Sequence, residues 1–97
     1  MNWLSRAYGR EMPEICWFNG ISIRMHFGDH HPPHVHVFYA GDEGVVTLSG
    51  LLVAGQLPVR VRSQVARWCR LRQAELDRAW WHASHYEPVE RIEPLED

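Results

Sequence analysis

The sequence predicts an α+β domain: an antiparallel meander of four to five strands with one long C-terminal helix packed on one face, followed by an acidic extended tail. Two observations carry this. Apolar residues alternate with period two through the first half of the chain and recur with period 3.6 after Leu57-Pro58. Between the first two apolar runs stands Asn19-Gly20, a two-residue hairpin signal, because both central residues of a type I′ turn need positive φ.

Residues 1–11 show no periodicity and are read as an N-terminal extension; Met12-Pro13 opens the single domain, which runs to residue 86. The hairpin arms are "EICWF" and "ISIRMHF". A two-residue turn sets Phe18 against Ile21 and Cys16 against Ile23. Phe18, Cys16, Ile21, Ile23, Met25 and Phe27 then share one apolar face, with Ser22, Arg24 and His26 on the other. The third strand is "HVHVFY", where Val35, Val37 and Tyr39 alternate with His34, His36 and Phe38. Pairing Phe27 with Val35, Met25 with Val37 and Ile23 with Tyr39 keeps one face apolar, since a one-residue slip moves every side chain to the other face. That register sets His26 opposite His36. Residues 28–33 form the connection, stiffened by two prolines.

A turn at "GDEG" leads into "VVTLS", where Val46 and Leu48 continue the apolar face, and "LLVAG" adds a short fifth strand. Proline suits the first turn of a helix, so Leu57-Pro58 marks the next start. Val61, Val65, Trp68, Cys69, Leu76, Ala79 and Trp80 fall within about 120° of a helical wheel, one face of a single long helix. Arg60, Arg67 and Arg78 line one flank with Arg70 further round. Arg72 falls inside the apolar arc, a place for a snorkelling stem or a paired guanidinium. Residues 87–97 hold two prolines and five carboxylates against Arg91, hence the extended tail.

Composition narrows the class. At 97 residues and 45% hydrophobic, the sequence makes one core and has no room for a second domain. Cys16 and Cys69 stand far apart inside apolar patterns, which predicts buried thiols in a reducing compartment rather than a disulfide framework or a thiolate zinc site. No run approaches 18 apolar residues and no secretory h-region opens the chain, so a cytoplasmic protein is expected. The net charge of −2 hides a polarity: residues 58–79 carry six arginines against Glu75 and Asp77, and the tail reverses the sign. There is no lysine, so every basic side chain is a guanidinium, suited to paired contacts with phosphate or carboxylate.

The stretch "MHFGDHHPPHVHVFY" holds five of the seven histidines. The register gathers His26, His34 and His36 on the face away from the core, with Arg24 nearby. Three readings fit. One histidine takes a 2′-hydroxyl proton and another protonates the leaving oxygen while Arg24 offsets phosphorane charge, an RNA-cleaving site without metal. Alternatively His34, His36 and His26, with Asp29 adding a carboxylate, form an open zinc site. In the third reading the histidines only bond backbone carbonyls, stack on prolines or meet a partner, and no cofactor is needed. Arg60, Arg67, Arg70 and Arg78 offer either a nucleic-acid surface for RNA or DNA or a solvated helix face. Trp80-Trp81 reads as core closure plus one exposed indole, and His82 and His85 as favourable charge at a helix C-terminus.

With Met12-Pro13, the aromatic-x-Gly-Ile turn at residues 18–21, Asp29-His30-x-Pro32-Pro33-His34-x-His36, Leu57-Pro58 and Glu93-Pro94-Leu95, the chain resembles the small bacterial proteins of domain-of-unknown-function family 4160. The resemblance runs from Met12 to about Pro94. His31 stands where the family often has proline, which gives it no essential role, and residues 1–11 depart from the pattern. The resemblance implies a cognate small protein of family 2442 encoded nearby, in a candidate toxin-antitoxin module, without assigning which member is the toxin. Two functions are therefore expected to compete: a toxin acting on RNA through the histidines, and a non-enzymatic regulator or antitoxin that binds its cognate protein through the sheet edge and operator DNA through the arginines.

Overall fold

The computed structural model describes residues 12–96; the extension assigned to residues 1–11 lies outside the described residues. Five strands, β1 (Glu14–Phe18), β2 (Ile21–Arg24), β3 (His34–Tyr39), β4 (Asp42–Thr47) and β5 (Leu52–Gly55), precede two helices, α1 (Val59–Leu71) and α2 (Gln73–Ser84). The strands lie in chain order in one antiparallel sheet. Asn19 and Gly20 both have positive φ, and the hairpin pairs Phe18 with Ile21 and Cys16 with Ile23, as the turn chemistry requires. A bulge beside Ile15 lets Ile15 and Cys16 both enter the core.

Three details differ from the reading of the sequence. The β3–β4 reversal is Ala40-Gly41, both at positive φ, so Asp42 and Glu43 belong to β4 and pair with Tyr39 and Phe38. Alanine carries no turn signal, which hid the true position. Second, β2 pairs with β3 through Ile23–Val37 and Arg24–His36, a shift of two residues from the expected register. A shift of two keeps every side chain on its own face, so period-two patterning does not distinguish the registers. Arg24, not His26, therefore stands across from His36, and residues 25–33 form a longer connection.

Third, the single long helix is two. Arg72, at φ −110° and ψ 28°, separates α1 from α2. The Gln73 side-chain amide donates to the Cys69 carbonyl at 3.0 Å and the Leu48 carbonyl at 2.5 Å. It thereby occupies the acceptor that the Gln73 backbone N–H uses in an uninterrupted helix. The wheel survives the break: Val61, Val65, Trp68, Cys69, Leu76, Ala79 and Trp80 are all buried. They close over Phe18, Ile21, Ile23, Met25, Val35, Val37, Val46 and Leu48.

The acidic tail is extended and also packed. Ile92 and Leu95 are buried, and the Ile92 N–H donates to the Ile15 carbonyl at 2.7 Å, covering the outer edge of β1. Arg72 is the paired guanidinium: it donates to the carbonyls of Glu93 and Pro94, each at 3.2 Å. No helix among the described residues is long and apolar enough to cross a membrane.

Candidate functional site

On β3, Val35 and Val37 join the core, so His34 and His36 leave the strand on the opposite side, their rings 5.1 Å apart. Both are buried nonetheless, because β3 is the central strand and the connection folds back over its start. That connection delivers Asp29. Its Oδ2 accepts hydrogen bonds from His34 Nε2 at 2.7 Å and His36 Nε2 at 2.9 Å, and its Oδ1 accepts from the His30 backbone N–H at 2.8 Å. His34 Nδ1 lies 2.7 Å from the Pro32 carbonyl oxygen. Trp80 forms one wall, its ring 5.5 Å from that of His34 and 5.6 Å from that of His31. Burial pushes the Asp29 carboxyl up, but the hydrogen bonds from His34, His36 and the His30 amide outweigh it and hold the group well below the usual carboxylate range.

Among the described residues, Asp29, His34 and His36 form a group able to hold a metal ion, with one ligand atom from each lying within 4.8 Å of the others. His26 stands apart. Its ring centre is 6.5 Å from that of His36 and its Nδ1 is engaged with the Phe27 carbonyl at 2.7 Å. Arg24 is across the ladder from His36, but its guanidinium turns to the Met12 carbonyl at 3.1 Å and the Ser22 hydroxyl at 3.2 Å. Of the residues singled out in the sequence, the structure brings Asp29, His34 and His36 together and places His26 and Arg24 apart from them. It missed His30 and Trp80. An aspartate in a turn commonly binds a neighbouring amide, which was the available signal for His30; Trp80, distant in sequence, had none.

The arginines do not form one patch. Arg60 donates to the Tyr39 hydroxyl at 2.8 Å and lies over that ring. Arg78 shares a groove with Glu75, Glu90 and Arg91, so carboxylates interleave with the basic charge. Arg67 and Arg70 are exposed on α1. Trp80 closes the core and Trp81 is exposed, stacked on His85 with ring centres 4.1 Å apart. His82 contacts Glu87 at 2.7 Å.

A family model described as Domain of unknown function (DUF4160) matches residues 20–81, more than half of the chain and all of the Asp29, His34 and His36 cluster. No curated protein and no solved structure matches the chain.

Proposed function

The chain belongs to the family Domain of unknown function (DUF4160), and we propose that it is the non-enzymatic, partner-binding member of a toxin-antitoxin-like pair. In this reading it docks its cognate protein along the outer edge of β5. The carrying observation is the contrast between the two sheet edges. The tail covers β1 through Ile92 and Ile15. The outer edge of β5 pairs with nothing among the described residues, and residues 51–55 carry no charge.

Such an edge leaves backbone N–H and C=O groups open to an added strand, and proteins ordinarily protect it with charge. Here it offers apolar side chains instead: Leu51 is 64% exposed and Val53 39%, and Val59 on α1 beside them is 77% exposed. Between β5 and α1 runs a shallow groove lined by Leu51, Leu52, Val59 and Ala66, with Arg62 as its one charged residue. The fitting partner is an extended segment with alternate apolar side chains and a carboxylate to meet Arg62.

The burial of His34 and His36 supports a non-enzymatic reading over RNA cleavage. Both Nε2 atoms are engaged by one carboxylate oxygen, whereas a general acid and base must each come within hydrogen-bond reach of the substrate. The test is co-expression with the neighbouring small protein. A stable complex is expected on size-exclusion chromatography, and Val53→Lys should weaken it at least tenfold with unchanged circular dichroism. Induction of this chain alone should leave growth and total RNA unaffected. Growth arrest with RNA degradation, lost in His36→Ala, would give the enzymatic reading instead.

A further inference from the structure

At the start of β3 two buried imidazoles converge on one carboxylate oxygen. His34 faces an acceptor with each ring nitrogen: the Pro32 carbonyl oxygen at Nδ1 and the Asp29 carboxylate at Nε2, both at 2.7 Å. A neutral imidazole carries one N–H. One of the two contacts would then set lone pair against lone pair, unless a proton or a metal cation lies there.

The Pro32 contact favours hydrogen on Nδ1. That is how metal-binding imidazoles are commonly oriented: the far nitrogen donates to a backbone carbonyl and the near one aims its lone pair at the ion. His36 turns its Nε2 to the same Asp29 oxygen, and its Nδ1 is buried with no hydrogen-bond partner. All the polar bonding of that ring is therefore directed at the shared point.

We propose that Asp29 Oδ2, His34 Nε2 and His36 Nε2 bind one divalent transition-metal ion of the zinc class. Two imidazoles and a carboxylate suit such an ion and are poor ligands for calcium or magnesium, which prefer all-oxygen shells. The donors now sit at hydrogen-bond separations of 2.7 and 2.9 Å. Ligands about 2.0–2.1 Å from a tetrahedral zinc lie about 3.3 Å apart. Uptake therefore moves Asp29 outward by about half an ångström and draws the two imidazoles together, because the donor atoms of the three residues now spread over up to 4.8 Å. Binding takes the lone pair of each Nε2, so both imidazoles then carry their hydrogen on Nδ1. His26, whose ring centre stands 6.5 Å from that of His36 and which lies outside the cluster, is not a ligand. This site is independent of the β5 edge, so either proposal can fail alone.

The experiment is cobalt(II) titration of chelator-treated full-length protein, followed by visible absorption and by melting temperature. A ligand-field band saturating at one equivalent, displaced by zinc, is expected, with a rise in melting temperature. Asp29→Asn, which preserves shape, and His36→Ala should lose the band, while His26→Ala should keep it. No band and no thermal shift in folded wild-type protein would overturn the site and leave a hydrogen-bonded clamp. A band that survives Asp29→Asn and His36→Ala would overturn its assignment to these residues.

Discussion

Trp68 Nε1 donates to the Glu93 carbonyl oxygen at 2.7 Å, joining the last turn of α1 to the acidic tail. The tail is thereby part of the folded unit. Ile92→Ala should cost about 2–5 kcal/mol, the usual range for a buried isoleucine, and Trp68→Phe about 1 kcal/mol more than its loss of volume alone. Urea unfolding of the two variants measures both. A tail that contributes nothing would leave the Ile92→Ala midpoint at the wild-type value.

Asp29 gives two buried imidazoles their acceptor. In the presence of chelator, Asp29→Ala should destabilise the fold by about 1–3 kcal/mol for each buried imidazole left without its acceptor. His26→Ala, which loses a single bond to the Phe27 carbonyl, should cost about 1 kcal/mol. Equal losses in the two variants would contradict the central place of the carboxylate.

Both thiols are raised by burial, Cys16 to about 11 and Cys69 to about 12, from an ordinary value of 9.0. The unfolded chain ionises first. The stability these groups contribute is therefore fully present below pH 9 and is lost as pH rises through 9 toward 12. Cys69→Ala should flatten the alkaline limb of the stability profile. At pH 8 the folded protein should resist alkylation until urea exposes the thiols.

Gly55 ends β5 at positive φ, and a Cβ there would run into the Glu43 carbonyl oxygen, which is backbone and has little freedom to move. Gly55→Ala should cost about 2 kcal/mol or more. It should also loosen the pairing of β5 with β4, visible as faster amide exchange at Val53 and Ala54.

The meander was legible because its signals are local. Asn19-Gly20 names its own turn, and alternation assigns each strand a buried face. What escaped were quantities the patterns do not encode. Period two is blind to a shift of two, so His26 was set opposite His36 where Arg24 stands. The wheel is blind to the break at Arg72, because the Arg72 and Leu76 N–H groups keep their bonds to the carbonyls four residues back and the phase carries on to Trp80. Ile92 and Leu95 are too few in an acidic segment to announce a docked tail. Alternation placed His34 and His36 away from the helices, and from that an exposed surface was expected. A central strand crossed by its own connection buries them instead.

The cover on β1 has a consequence for synthesis. Arg91 and Ile92 bond to the carbonyls of Glu14 and Ile15, contacts that join positions 77 residues apart. β1 is thus shielded by residues made 77 positions after it. Until then a nascent sheet presents two bare margins rather than one, and during that interval the growing chain is most open to pairing with another.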